Sequence, residues 1–331
     1  MKQTYKWGFI GCGSVTEIKS GPAYQKINGF ELFAVMRRDL EKAKDYAFRH
    51  NISNFSNNAD ALINNPEIDA IYIATPPDSH RYYALKVAEA GKICCIEKPM
   101  ATTFKECLKI TKAFEVKNIP LFVSYYRRSL PRFNKIKSWL DENKIGKVRH
   151  INWHLSKSAN QIDLDKKYNW RTDSKIAYGG YFDDLASHGI DLFIYLLGDI
   201  KRAQGIAINQ QGLYTAMDAI TGSWLHEAGI TGSGSWNFGT EKREDTVHIY
   251  GEKGKISFSV FDEKPIELDS DDCKESLIIN NPENIQFFHV QNMKHYLSEN
   301  IEHPSTGKTA THTTWVLENI LKHNNLNLEQ C

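Results

Sequence analysis

The first third of the chain alternates short apolar runs with stretches that suit helices, and this alternation limits the folds open to the chain. The apolar runs are continuous, as in strands that are buried on both faces of a sheet. Strands alternating with helices indicate a parallel sheet covered on both faces, the doubly wound α/β class. The first helix, expected after residue 13, should break at Gly21-Pro22. The expected strands are Tyr5–Ile10, Phe30–Met36, Ala70–Thr75, Lys92–Ile96 and Leu121–Tyr125.

After residue 125 the pattern changes, because strands now follow strands. This order predicts an α+β domain with a large, open, mainly antiparallel sheet. A helix over Tyr181–Leu197 precedes most of these strands, and helices over Pro282–Glu299 and Thr306–Lys322 close the chain. We therefore expect two domains, residues 1–125 and 126–331. The strands expected in the second domain are Val148–Leu155, Arg202–Asn209, Ala219–Leu225, Gly229–Trp236, Thr246–Tyr250 and Lys255–Val260.

The balance of charge excludes several classes of partner. The 331 residues include 41 basic and 40 acidic side chains, so the formal net charge is +1. This balance offers no basic surface for nucleic acid and no polybasic patch for a membrane. No run approaches the ~20 apolar residues of a membrane helix. Six cysteines without a CxxC pair, and an N-terminus without the apolar stretch of a signal peptide, favour a cytoplasmic protein.

A glycine-rich turn follows the first expected strand. Gly11-x-Gly13-x-x-Thr16 opens the first helix, where glycines allow the backbone to approach a dinucleotide pyrophosphate. Gly11 and Gly13, with Ser14 and Val15 after them, are the candidate pyrophosphate-binding residues. The motif alone also fits an ordinary strand-to-helix turn. Its position in the first turn of an alternating pattern favours dinucleotide binding.

Two arginines follow the second strand. An NAD-selective site usually places an acid at this strand end for the ribose 2′-hydroxyl, whereas arginines suit the 2′-phosphate of NADP. Arg37 and Arg38 therefore favour NADP over NAD. The alternative is that both arginines are solvated and that Asp39 meets the ribose.

Two further motifs carry candidate catalytic residues. Glu97-Lys98-Pro99 follows the fourth strand, at the sheet edge where doubly wound folds bind ligands. A lysine there can stabilise developing charge and assist proton transfer. Asp184 and His188 are four residues apart on an expected helix, so the carboxylate can orient the imidazole as a general base. A surface ion pair or half of a metal site would have the same spacing, but no further ligands follow, so we expect no metal.

These motifs together resemble the Gfo/Idh/MocA family of glucose–fructose oxidoreductase and inositol dehydrogenase relatives. The resemblance runs along essentially the whole chain, and the EKP motif combined with the Asp-x-x-x-His segment is specific. The matching stretches read GFIGCGSVTE, AIYIATPPDSHRYYALKVAEAGKICCIEKPM, SYYRRSLPRF, IGKVRHI and GGYFDDLASHGIDLFIYLLG.

The resemblance implies a Rossmann domain followed by a sheet domain that often assembles homodimers or homotetramers. It implies that Lys98 contacts both nicotinamide ribose and substrate, and that Asp184 and His188 act at the substrate hydroxyl. For the cofactor, the resemblance further implies Thr75, Pro76, His80 and Glu97. It places Tyr126 and Arg127 near the nicotinamide or substrate, and it implies that Trp170 and Arg171 help close the substrate pocket.

The expected function is hydride transfer between NAD(P) and the CH–OH or C=O carbon of a sugar, cyclitol or sugar derivative. Two other functions fit the same motifs. One is a redox-neutral glycoside hydrolase or lyase that retains its dinucleotide and uses transient oxidation. The other is a non-catalytic dinucleotide-binding regulator, which the presence of both Lys98 and His188 disfavours.

Overall fold

The computed structural model describes residues 4–322, and these residues form two compact units. The first unit contains residues 4–130 together with 281–311. The second unit contains residues 131–280 and 312–322.

A parallel sheet forms the centre of the first unit, as the alternating pattern predicts, but it has six strands instead of five, because the short and mostly exposed strand Asn54–Ser56 is not marked by an apolar run. Its strand order is β3-β2-β1-β4-β5-β6, and every pairing is parallel. The strands are β1 Tyr5–Ile10, β2 Phe30–Met36, β3 Asn54–Ser56, β4 Ala70–Ile73, β5 Ile93–Ile96 and β6 Leu121–Val123. The helices are α1 Ser14–Ile18, α2 Gly21–Lys26, α3 Leu40–Arg49, α4 Ala59–Ile63, α5 His80–Glu89 and α6 Phe104–Val116.

The break expected in the first helix is confirmed, because α1 ends at Ile18 and α2 begins at Gly21. A Cβ on Gly21 would lie 2.3 Å from the carbonyl oxygen of Thr16. The chain can therefore turn this closely only at glycine, and the proline that follows suits the first turn of α2.

An eight-stranded sheet forms the second unit, in the order β14-β13-β12-β11-β7-β10-β9-β8. All its pairings are antiparallel except that of β7 with β10, which is parallel. Its helices are α7 Pro131–Asp141, α8 Gln161–Leu164 and α9 Ser187–Leu197. The strands are β7 Val148–Ser156, β8 Ile200–Ile208, β9 Ala219–His226, β10 Thr231–Asn237, β11 Glu244–Gly251, β12 Gly254–Phe258, β13 Ile266–Ser270 and β14 Lys274–Leu277.

The segment after residue 280 departs from the expected division at residue 125. Helix α10, Phe287–Glu299, falls in the second domain of that division but belongs to the first unit. Val290 and Met293 of α10 are fully buried and share a core cluster with Phe122 of β6. Burial of this apolar face against the parallel sheet explains the placement. The last helix, α11 Gly307–Leu321, begins in the first unit, and its residues from 312 onward belong to the second.

Two kinds of feature, a membrane-spanning helix and a metal-binding cluster, are absent from residues 4–322. None of the helices there is long and apolar enough to cross a membrane. No group of three or more His, Cys, Asp or Glu side chains in the same range is arranged to hold a metal ion.

Candidate functional site

The glycine-rich turn lies at the carboxyl end of β1. Gly11 has a φ of +95°, and a Cβ there would lie 2.9 Å from backbone atoms of Ala74. A Cβ on Gly13 would meet nothing within 4 Å, so its backbone is open to a ligand. Ser14 and Val15 form the first turn of α1. The turn therefore has the close backbone approach and the open side that a pyrophosphate requires.

Thr16 occupies the position where this motif usually has a smaller residue. Its side chain is fully buried, and its hydroxyl donates to the carbonyl oxygen of Gly13 at 2.8 Å. Its own carbonyl oxygen accepts a hydrogen bond from the Tyr46 hydroxyl at 2.9 Å. The threonine therefore closes the turn through its own hydrogen bonds, and the glycine approach is preserved.

A cleft of about 400 Å³ opens beside this turn. It brings together six of the residues expected to bind the cofactor, whereas Ser14, Val15, His80, Glu97 and Lys98 are not among its lining residues. The lining residues are Gly11, Cys12, Gly13, Met36, Arg37, Arg38, Asp39, Lys42, Ala74, Thr75, Pro76, Asp78, Ser79 and Tyr83. The glycine cradle and the volume of the cleft fit one end of a dinucleotide.

Three basic side chains, Arg37, Arg38 and Lys42, line the cleft. Arg37 Nη1 donates to the carbonyl oxygen of Cys12 at 3.2 Å, which fixes this guanidinium beside the turn. Asp39 is the N-cap of α3 and accepts from the backbone N–H of Lys42 at 3.2 Å. This capping bond, together with the Lys42 ammonium at 3.3 Å, lowers the pKa of Asp39. The Asp39 carboxylate is thus engaged within its own helix.

Glu97 directly precedes the candidate catalytic lysine, and its side chain is buried, with only 8% of the residue exposed. Both of its carboxylate oxygens accept hydrogen bonds. Its Oε1 accepts from the Tyr72 hydroxyl at 2.5 Å and from Gln286 Nε2 at 2.7 Å. Its Oε2 accepts from the backbone N–H of Lys98 at 3.2 Å. Three donors therefore fix the start of the loop that carries Lys98.

His80 connects this loop to the cleft. Its Nδ1 lies 3.0 Å from the carbonyl oxygen of Pro99, and its Nε2 lies 2.7 Å from that of Thr75. The ring is buried, and this burial lowers its pKa. Because Thr75 lines the cleft, the histidine ties the loop after β5 to the cleft wall.

Tyr126 and Arg127 begin a short 3-10 helical turn after β6. Both side chains are buried, and the guanidinium of Arg127 lies 5.0 Å from the centre of the Tyr126 ring. These two expected nicotinamide or substrate residues belong to the first unit, together with Lys98.

The other candidate catalytic residues belong to the second unit. Asp184 lies in a π-helical turn over Phe182–Ala186, and His188 lies in the first turn of α9. A π-helical turn is rare and frequently marks a functional site. His188 is 4% exposed, with its ring 5.9 Å from that of Phe261. The expected helix thus exists, but its regular α-helical part begins only at Ser187.

Arg171 is the ion-pair partner of Asp184. Its Nε donates to Asp184 Oδ2 at 2.8 Å, and its guanidinium lies 4.4 Å from the centre of the Trp170 ring. The structure therefore brings together three of the residues implied by the family resemblance. A charge-assisted hydrogen bond from the guanidinium fixes the orientation of this carboxylate.

Two groups in the Glu97 network, and one acid beside Asp184, are not predicted from the sequence. Tyr72 stands within an apolar strand, and Gln286 lies far from Glu97 along the chain.

Asp183, next to Asp184, accepts from the backbone N–H of Gly179 at 2.8 Å. Burial raises the pKa of the Asp183 carboxyl to about 7. Only the adjacent acids in the motif could have drawn attention to Asp183.

Comparison with known proteins identifies the family. Residues 5–125 match an oxidoreductase family with an NAD-binding Rossmann fold, and residues 133–257 match the GFO/IDH/MocA C-terminal domain. Oxidoreductase P35 of Formosa agariphila is 37% identical over 319 residues, covering 96% of this chain and 98% of that protein.

Two more distant proteins have names that specify a reaction or a ligand. The 1,5-anhydro-D-fructose reductase of Ensifer adhaerens is 23% identical over 266 residues, or 79% of this chain and 78% of that protein. A solved structure of levoglucosan dehydrogenase, in complex with NADH and levoglucosan, is 21% identical and covers 96% of each chain with a TM-score of 0.85. The latter similarity shows a shared fold.

The two family domains cover most of the chain in the expected order, and a relative at 37% identity spans nearly all of it. The chain belongs to the Gfo/Idh/MocA family and is an NAD(P)-binding oxidoreductase.

Proposed function

We propose that this enzyme oxidises the CH–OH carbon, or reduces the C=O carbon, of a sugar, cyclitol or sugar derivative, with bound NAD(P) supplying the hydride chemistry. The names of the anhydrofructose reductase and the levoglucosan dehydrogenase support this substrate class. The observation that carries the proposal is the hydrogen-bonded Glu97, since its three donors fix the start of the Lys98 loop. His80 links that loop to the cleft of the glycine turn.

Each candidate residue has a role in this proposal. His188 exchanges the proton of the reacting hydroxyl, and Asp184, which Arg171 holds, orients His188 and contacts a neighbouring hydroxyl. Lys98 stabilises the charge that develops on the substrate oxygen. Trp170 and Arg171 border the substrate, and Tyr126 and Arg127 lie near the nicotinamide or substrate.

The cofactor contacts are assigned in the same way. Backbone N–H groups of Gly13, Ser14 and Val15 bind the pyrophosphate at the glycine turn, while Thr75 and Pro76 line the cleft. The contacts of His80 and Glu97 support a positioning role for both, because each holds a loop in place through hydrogen bonds.

The experiment is a screen of sugars and polyols for net reduction of NAD(P)+, followed by Lys98→Met and His188→Asn on the best substrate. Each variant should lose at least tenfold in turnover, about 1.4 kcal/mol of transition-state stabilisation, with its circular dichroism unchanged. A smaller loss would contradict these roles. Product formation without net cofactor reduction would instead support the redox-neutral hydrolase or lyase.

We further propose that NADP binds more tightly than NAD. Arg37, Arg38 and Lys42 border the cleft, and the adjacent acid, Asp39, is engaged as a helix cap. The ligand of the levoglucosan dehydrogenase structure is NADH, so direct measurement decides the preference of this enzyme.

Arg38→Ala should weaken NADP+ binding about tenfold and leave NAD+ binding within about twofold, whereas Arg149→Ala, an exposed control, should change neither. Tighter binding of NAD+ to the unaltered enzyme would reject the proposal.

The remaining proposals concern assembly and location. We propose a homodimer or homotetramer that forms through the sheet of the second unit, where Ile206 and Ile208 on β8 are 61% and 48% exposed. A cytoplasmic location remains a prediction.

A further inference from the structure

Lys157, which belongs to none of the sequence motifs, directly follows β7 in the second unit. Its backbone N–H donates to the carbonyl oxygen of Asn237 at 3.0 Å. Its carbonyl oxygen accepts from the backbone N–H of Thr240 at 3.3 Å. The side chain therefore starts from a backbone that is fixed at the end of the sheet.

The alternation along β7 shows which face of the sheet this position continues. Ile151, Trp153 and Leu155 are fully buried, and the Trp153 ring packs against Phe193 of α9 at 5.5 Å between ring centres. Lys157 is the next residue in this alternation. It therefore continues the face on which α9, the helix of His188, packs.

The ammonium of Lys157 has one hydrogen-bond partner and no ion-pair partner within residues 4–322. Nζ donates to Asn160 Oδ1 at 2.8 Å and lies 5.1 Å from the centre of the Tyr181 ring. The side chain is partly buried. A lysine that is taken out of water usually gains a carboxylate partner, and here that partner is lacking.

The charged groups near Lys157 are already engaged with other residues. Asp184 accepts from Arg171, and Arg243 pairs with Asp262 at 2.9 Å. Asp163 accepts from the Tyr181 hydroxyl at 2.5 Å and from Asn169 and Thr172. Burial, and next the guanidinium of Arg243, lower the pKa of Lys157, whereas Asp163 and Asp184 act in the opposite direction.

We propose that the Lys157 ammonium binds a carboxylate of the substrate, so that the substrate class is an acidic sugar such as a uronate or an aldonate. The bound carboxylate supplies the counter-charge that the protein does not provide, and it uses N–H donors that remain after the bond to Asn160. Arg171 adds further donors, because only its Nε is used on Asp184. This inference rests on the proposed function and specifies its substrate.

The test compares matched acid and neutral pairs: D-glucuronate with D-glucose, D-galacturonate with D-galactose, and D-gluconate with D-glucitol. Binding to the full-length enzyme loaded with NADPH is measured by calorimetry, so no turnover is required. At least one acid should bind ten or more times more tightly than its neutral partner. If no acid binds more tightly than its partner, the proposal is overturned, with no variant involved.

Variants then assign the preference to the ammonium. Lys157→Met should remove the preference for the acid and leave the affinity for the neutral partner unchanged, while Lys157→Arg should retain most of the preference. Lys175→Met, an exposed lysine in the same unit, should behave like the unaltered enzyme. Equal loss of affinity for both members of a pair in Lys157→Met would overturn the proposal.

A separate readout keeps this inference distinct from the proposed function. If an acid binds with the Lys157-dependent preference but is neither oxidised nor, as its keto derivative, reduced, the proposed reaction fails and the assignment of Lys157 stands. If neutral sugars are oxidised at least as efficiently as their acids, the reaction stands and the inference about Lys157 fails.

Discussion

A buried carboxylate destabilises a protein unless its oxygens accept hydrogen bonds, and Glu97 meets this condition with groups from three parts of the chain. Tyr72 comes from β4, the Lys98 N–H from its own loop, and Gln286 from the segment before α10. The carboxylate thereby links the parallel sheet, the loop of the candidate catalytic lysine and the returning segment. At the scale of single residues, the site depends on this arrangement.

Gln286→Leu tests whether that arrangement positions Lys98. Loss of the amide donor leaves Glu97 Oε1 with only the Tyr72 hydroxyl, at an expected cost of about 1–3 kcal/mol. We expect kcat to fall about tenfold while dinucleotide affinity changes less than about threefold, because the cleft is not lined by Gln286.

Asn292→Leu is the matched control for this change. Asn292 lies on α10 and donates to Ser129 Oγ at 3.0 Å, so it takes no part in the hydrogen bonds of Glu97. It should lower stability and leave kcat unchanged. Equal kcat values for the two variants would show that Gln286 stabilises the fold without positioning Lys98.

Asp183 predicts a dependence of stability on pH. Because burial raises its pKa from 3.8 to about 7, the folded protein holds this proton more tightly than the unfolded chain does. The associated stability is present below about pH 4 and is lost as pH rises to about 7. Asp183→Asn should match the unaltered protein near pH 4 and exceed its unfolding free energy near pH 8 by at most about 4 kcal/mol. Urea unfolding at both pH values measures this, and the same difference at both would contradict the shifted pKa.

At the scale of elements, the buried strands of the first unit could be predicted, because continuous apolar runs of strand length form few other kinds of secondary structure. Strands β13 and β14 could not, since their short sequences alternate with charged residues and resemble loops. The parallel pairing of β7 with β10 depends on sheet order, which local pattern does not encode.

The candidate site could likewise be predicted only in part. Motif residues such as Gly11, Lys98, Asp184 and His188 stand in recognisable local patterns. Gln286 lies 189 positions from its partner Glu97, and Lys157 resembles any lysine at a strand end. Both become evident only when the tertiary fold brings their neighbours together.

Packing of α9 on its sheet predicts a strict requirement at Gly189. A Cβ there would lie 2.3–2.8 Å from ring atoms of Trp153. Gly189→Ala should lower the free energy of unfolding by about 1–3 kcal/mol, because the ring or the helix must move. In a Trp153→Phe background the smaller ring should reduce this cost, and chemical denaturation of the four proteins of the cycle measures the coupling. An equal cost in both backgrounds would reject this contact as the cause.

At the scale of the whole molecule, the net charge of the chain is close to zero, but some local charges are unbalanced and bear on function. The formal net charge is only +1, yet Arg37 and Arg38 border the cleft of the first unit, and Lys157 lacks an acidic partner among the described residues of the second. Neutrality therefore argues against polyanion surfaces, while single phosphate or carboxylate groups remain suitable ligands.

Assembly through the second-unit sheet gives a prediction at this scale. Ile206→Lys places a charge on the exposed face of β8 and should shift the protein toward monomers in light scattering. Val116→Lys, at an exposed apolar position in the first unit, should leave the molar mass unchanged. An unchanged molar mass for the β8 variant would place the subunit contact elsewhere.

Hydride transfer from a CH–OH carbon of a sugar-like substrate to a nicotinamide is the reaction on which all the proposed catalytic roles depend. It can be detected with a mixture of sugars, uronates and polyols in which every carbon-bound hydrogen is replaced by deuterium, with NADP+ and NAD+ supplied in parallel. Mass spectrometry of the recovered dinucleotide reports the transfer whichever compound in the mixture is the substrate. We expect reduced dinucleotide to accumulate with deuterium on its nicotinamide ring, and to a much smaller extent with His188→Asn. Conversion of the mixture while the dinucleotide remains unlabelled and oxidised would contradict hydride transfer as the net reaction.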